Sequence, residues 1–199
     1  RPNVGKSSFL NALIGKERSI VTDEAGTTRD AIHTRYQLYG KDYILTDTAG
    51  IRKKAKVKED IEFYSVMRSL RTLEDSDVII IMVDATRGLE AQDVNLISLS
   101  IKNNKGLMIM VNKWDLVEKD HKTMQKFKDN MTEKLGENKW IPIIFISALT
   151  KQRIYQAMEL AMNVYDNKHR KVPTSKLNEL LLPEIEKYPP PANKGKDIK

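Results

Sequence analysis

The chain has 199 residues, no cysteine, 31% charged, 40% hydrophobic and only 7% aromatic residues. This balance fits a soluble domain with a tail and excludes fibres, disulfide scaffolds, thiolate zinc sites and cysteine nucleophiles. Lys and Arg number 34 against 27 Asp and Glu, a formal charge of +7, which favours polyanionic partners such as RNA. No apolar run approaches the ~20 residues of a membrane helix, and no signal-peptide pattern opens the sequence, so a cytoplasmic location without membrane contact is expected.

Taken in chain order, Arg1-Pro-Asn-Val-Gly-Lys-Ser-Ser8 starts inside a loop motif, and the apolar strand that should precede such a loop is absent. Phe9, Leu10, Leu13 and Ile14 have helical spacing up to Gly15. Residues 34–39 and 43–46 are rich in aromatic and β-branched residues around Gly40-Lys41-Asp42, the pattern of an antiparallel hairpin, and Asp47-Thr-Ala-Gly50 closes its second strand. Residues 58–74 predict an amphipathic helix opened by Glu59 and Asp60. The apolar runs 78–83, 107–111 and 141–146 predict strands, with helices at 91–102, 123–135 and 152–165. Short strands alternating with helices imply a mostly parallel sheet covered on both faces. Residues 169–174 form a basic, Pro-containing linker. Beyond it Ser175 is a candidate cap for a helix carrying Leu177, Leu180, Leu181 and Ile185, which Pro183 is expected to kink or shorten; Pro189-Pro-Pro191 ends it.

Gly5-Lys6-Ser7 matches the second half of the P-loop pattern, in which backbone N–H groups cradle phosphates, Lys reaches the terminal ones and Ser ligates magnesium. Its leading glycine would fall one residue before Arg1. Asp47 to Gly50 stands where P-loop NTPases place a magnesium-associated Asp and an amide facing the γ-phosphate. Asn112-Lys113-Trp114-Asp115 follows a buried-type strand. There the Asp115 carboxylate can accept two hydrogen bonds from guanine N1–H and its amino group, a pattern adenine cannot supply. Ser147-Ala148-Leu149 follows the last strand and positions the Ala148 amide as a donor to the guanine oxygen. His33, His121 and His169 are scattered without metal-ligand spacing. Trp114 and the methionines at 108, 110, 158 and 162 read as packing residues.

On the order and spacing of these motifs the chain resembles the translation-factor-related GTPases. Within them it is most similar to the bacterial ribosome-assembly GTPases in which two GTPase domains precede a KH-like domain, and it matches the second of the two. The resemblance rests on Arg1 to Ser8, Ala25-Gly-Thr-Thr-Arg-Asp30, Asp47-Thr-Ala-Gly-Ile-Arg52, Asn112 to Asp115, Ser147 to Leu149, Pro173-Thr-Ser-x-Leu-Asn178 and Pro189 to Pro191. It implies a three-layer α/β P-loop G domain over residues 1–168 lacking its first strand, a linker at 169–174 and the start of a KH-like α/β segment at 175–199. It further implies GTP and GDP as ligands, Mg2+ and K+ as ions, and ribosomal RNA or the large ribosomal subunit, not DNA, as partner. Asn3, Val4, Gly5, Lys6, Ser7 and Ser8 would surround the phosphates, with Lys6 on the β- and γ-phosphates. Ser7 and Thr28 (or its neighbour Thr27) would ligate magnesium and Asp47 a magnesium-bound water, while Gly50 would offer its amide to the γ-phosphate. Asn112 and Asp115 would bind guanine, with Lys113 along the base and Ser147, Ala148 and Leu149 beside it.

Position 51 is Ile, where Ras-like proteins carry a water-orienting Gln. The resemblance implies potassium in its place, held by the switch backbone and Asn3, stabilising transition-state charge as an arginine finger does. The run 52–58 is strongly basic: either a solvated loop or an RNA-facing switch. Arg29 either contacts phosphate or pairs with Asp30. An Era-like or MnmE-like GTPase, or an RNA-binding module with negligible hydrolysis of its own, are the alternative readings.

Overall fold

The computed structural model describes residues 3–14, 22–24, 32–38, 40–47, 75–118 and 122–188. The helix expected at 58–74, the basic run 52–58, Ile51 and Pro189 to Pro191 lie outside them.

Helix α1 (Lys6–Ile14) follows the phosphate-loop residues directly. Strands β1 (Thr22–Glu24), β2 (Ile32–Leu38) and β3 (Lys41–Asp47) form an antiparallel sheet. The expected hairpin is present: Leu38 pairs with Lys41 across a turn in which Gly40 has φ +73°, a conformation glycine adopts without a Cβ clash. A second sheet, in the order β4 (Val78–Asp84), β5 (Gly106–Asn112) and β6 (Ile143–Phe145), is parallel throughout. Parallel neighbours need crossovers, supplied by α2 (Ala91–Lys102) and α3 (Thr123–Leu135), which cover the predicted residues. Helix α4 (Ile154–His169) follows β6.

Side-chain alternation along the parallel strands divides the core into two layers. Met82, Met108 and Met110 join one cluster with Phe9, Ala12 and Leu13 of α1, Tyr36 of β2 and Ile154, Ala157, Met158 and Ala161 of α4. Ile81, Val83, Leu107, Ile109 and Val111 join the other with Ile97 of α2 and Met131 and Leu135 of α3. All seven residues of β5 are buried, as expected of a central strand covered on both faces. The result is a three-layer α/β fold in which Asp84 and Asn112, the ends of β4 and β5, are register partners, and Phe145, the end of β6, pairs with Val111 one residue before the end of β5. No described helix is long and apolar enough to cross a membrane.

The chain divides into two units, residues 1–168 and 169–199. The second contains α5 (Thr174–Lys187). One expectation is corrected there. Pro173, not Ser175, takes the N-cap position, and Ser175 lies inside the first turn, where proline's fixed φ has already set the entry. Pro183 lies inside the helix, which continues past it to Lys187. A proline removes one backbone bond and crowds the carbonyl four residues back, and the remaining bonds carry the helix on, with the Tyr188 N–H donating to Glu184 O at 2.9 Å. Leu177, Leu180, Leu181, Leu182 and Ile185 of this helix are exposed.

Candidate nucleotide site

The site assembles at the end of β5. Lys113 follows the strand with φ +63°, and the left-handed turn leads straight into the 3-10 turn Trp114–Leu116. The turn separates two neighbours. Trp114 enters the core at 2% exposure, its ring edge-on to Phe127 at 5.5 Å and tilted on Phe145 at 4.5 Å. Asp115 stays half-buried, and its Oδ1 is fully buried with no hydrogen-bond partner among the described residues. A buried carboxylate oxygen without a donor is costly, and it is what a site awaiting an N–H from a ligand presents.

Asn112, 2% exposed, ties three segments together. Its Nδ2 donates to the Val4 carbonyl of the phosphate loop at 2.9 Å, and its Oδ1 accepts the Ala148 N–H at 2.9 Å. The Ala148 amide, expected to point at a guanine oxygen, is thus engaged by Asn112 in this structure, because the buried amide oxygen needs a donor of its own. Ser147 is buried and fixes the loop from within: its Oγ accepts the Thr150 N–H at 3.1 Å, and its backbone exchanges hydrogen bonds with Gln152. Leu149 is 80% exposed.

On the phosphate-loop side, Asn3 has φ +59° and Gly5 φ +97°. A Cβ on Gly5 would collide with Asn112 Nδ2, so the approach of this loop to the base loop requires glycine. Val4 is buried, while Ser7 and Ser8 face solvent at the start of α1 with Lys6 partly covered. The Phe9 N–H bonds to Gly5 O at 2.9 Å. The N–H groups of this first turn, at the positive end of the helix dipole and with no acidic residue in the turn, suit an anion. Asp47 is the last residue of β3. Thr27, Thr28, Arg29 and Gly50 lie outside the described residues.

One further residue belongs to the site although no sequence motif marks it. Asp84 ends β4 as the register partner of Asn112 and is 5% exposed. Its Oδ2 is 2.6 Å from Lys113 Nζ, and its Oδ1 accepts from the Thr86 N–H at 2.9 Å and the Thr86 hydroxyl at 2.7 Å. Burial pushes its pKa up, but the hydrogen bonds from Lys113 and Thr86 outweigh burial and hold it below the ordinary 3.8. The only signal available was an Asp directly after the apolar run 78–83.

A phosphate-loop helix, a parallel layer and an Asn-Lys-Trp-Asp strand end in one α/β core define a GTPase G domain. The family model described as 50S ribosome-binding GTPase matches residues 1–113, and the chain belongs to that family. It is similar to GTPase Der from Amoebophilus asiaticus, at 66% identity over 199 residues, and to GTPase Der from Bacteroides thetaiotaomicron, at 58% over 200. In both cases all of this chain matches 46% of the relative's length. Among solved structures, an Era variant from Aquifex aeolicus bound to GDP.AlF4- is 31% identical with a TM-score of 0.63, covering 82% of this chain and 54% of that one. Era in complex with MgGDPNP and nucleotides 1506–1542 of 16S ribosomal RNA is 31% identical with a TM-score of 0.61, covering 87% and 56%.

Proposed function

We propose that the chain binds GTP and GDP with Mg2+, hydrolyses GTP, and works in the cytoplasm as a conformational switch in assembly of the large ribosomal subunit. The observation that carries the nucleotide assignment is the buried, unpartnered Asp115 Oδ1 beside an Asn112 that is satisfied on both its polar ends. Oδ1 would accept guanine N1–H and its partner oxygen the exocyclic amino group. An arriving guanine oxygen shares or takes over the Ala148 N–H, and Lys113 lies along the base. Adenine offers no donor at its N1, so it leaves the buried oxygen unpaired, which gives strong discrimination.

At the other end, the amides from Val4 to Ser8 cradle the phosphates, and Lys6 places its charge on the β- and γ-phosphates. The hard oxygen donors Ser7, Thr28 and Asp47 fit magnesium, which is usually held by one or two protein oxygens together with substrate phosphates. When bound, magnesium neutralises charge on the β- and γ-phosphates. Gly50 donates its amide to the γ-phosphate, so loss of that phosphate frees the adjoining segment. With Ile at position 51, no side chain there orients water. Asn3, held at positive φ at the entrance of the loop, is the candidate ligand for a potassium ion that offsets transition-state charge.

The ribosomal role is supported by membership in a 50S ribosome-binding family, by the Era complex with ribosomal RNA, and by the +7 charge with its basic run at 52–58. Residues 175–199 would begin a KH-like domain.

The test is Asp115→Asn. The amide keeps one acceptor oxygen but puts an NH2 donor where the second was, so it can no longer accept both guanine N1–H and the exocyclic amino group yet can donate to the xanthine oxygen. Preference is expected to move from GTP towards XTP, measured by competitive titration. Unchanged GTP over XTP selectivity would remove Asp115 from the base site.

A further inference from the structure

Asp84 has no role in the nucleotide contacts described so far, yet both of its oxygens are engaged. Three donors converge on it: Lys113 Nζ on one oxygen, the Thr86 N–H and hydroxyl on the other. Its backbone is fixed as well. Asp84 and Asn112 face each other across β4 and β5, and the Ala85 N–H donates to Asn112 O at 2.9 Å, extending the ladder one residue past the strand. The partner, Lys113, is the residue whose backbone is left-handed, at φ +63°, a conformation disfavoured for a residue with a Cβ. An ion pair with one partner 7% exposed and a 2.6 Å contact is of the charge-assisted kind that holds geometry, unlike exposed pairs.

We infer that Asp84 is a positioning residue of the guanine site: by holding the Lys113 ammonium it fixes the left-handed turn from which Asn112 and Asp115 are presented to the base. The two arms of the turn show why position matters here. Asn112 must reach Val4 and Ala148 at once, while three residues later Asp115 must keep Oδ1 buried and aimed at a donor that only the ligand brings. Trp114 anchors the turn from the core side, and the Lys113–Asp84 pair anchors it at the neighbouring strand end. Without the pair, Lys113 is free to relax towards ordinary φ, and Asp115 moves with it. Thr86 orients the carboxylate, so the loop after β4 becomes part of the site's support although it lies outside every nucleotide motif.

This inference rests on the reading of Asn112 to Asp115 as a guanine site, and the experiment separates the two. GDP affinity and thermal midpoint would be measured on the full chain for wild type, Asp84→Asn, Lys113→Met and the double variant. Each single change is expected to weaken GDP roughly tenfold, and the double to lose little more than the worse single, because coupled partners are non-additive. Additive losses would overturn the inference. So would a lowered midpoint with unchanged GDP affinity in Asp84→Asn, which marks a purely structural carboxylate. If Asp84→Asn does not fold, Thr86→Val keeps both charges and removes one donor to Asp84. It should then weaken GDP about threefold, and an unchanged affinity would be equally decisive against the role. Asp115→Asn serves as the control for the underlying reading: if it leaves base selectivity untouched, the guanine site itself fails. If it switches selectivity while the Asp84 and Thr86 variants bind GDP normally, only the role of Asp84 falls.

Discussion

Gly5 shows how much of the site hangs on one missing methyl group. Its φ of +97° excludes most side chains, and a Cβ would strike Asn112 Nδ2. Asn112 would then withdraw from the Val4 carbonyl and the Ala148 N–H, leaving buried polar groups unpaired. We expect Gly5→Ala to lower stability by about 1–3 kcal/mol and to abolish tight GDP binding, measured by urea denaturation and titration of the same preparation. Full-strength GDP binding in Gly5→Ala would mean that the loops need not meet. That Gly5 matters was legible from the motif. That it matters because of Asn112, more than a hundred residues away, was not, since no periodicity or spacing records a contact between distant strand ends. Asp84 escaped for the same reason: an Asp after an apolar run is usually a turn residue, and only the parallel register of β4 on β5 puts it against Lys113.

Among the described elements, two of the helices between the parallel strands fall where they are expected. Residues 91–102 and 123–135 are helical over their predicted lengths. The last strand is shorter than its apolar run suggests, Ile143–Phe145, since Ile141 N–H bonds back to Asn138 O and ends a turn instead of joining the sheet. Helix α4 starts later than expected, at Ile154, because Gln152 is held in a backbone bridge to Ser147. Trp114 couples these elements: its ring joins the end of β5 to Phe127 of α3 and Phe145 of β6. Trp114→Ala should cost about 3–5 kcal/mol through the cavity it leaves, a large share of the 5–15 kcal/mol typical of a domain. Denaturant melts would register this, and a loss under about 1 kcal/mol would show that the aromatic cluster is not what seats the base loop.

At the level of the whole molecule, the first unit holds the phosphate-loop helix, both sheets and the base loop, while the second carries an amphipathic helix with five exposed Leu and Ile side chains. The chain spans 46% of the length of the relatives named above. All of this depends on a formed, guanine-selective pocket. The most direct measurement is calorimetric titration of GDP with magnesium into the chain, repeated in a large excess of ATP. The account predicts tight GDP binding that ATP does not displace; displacement of GDP by ATP, or no GDP binding at all, would contradict it.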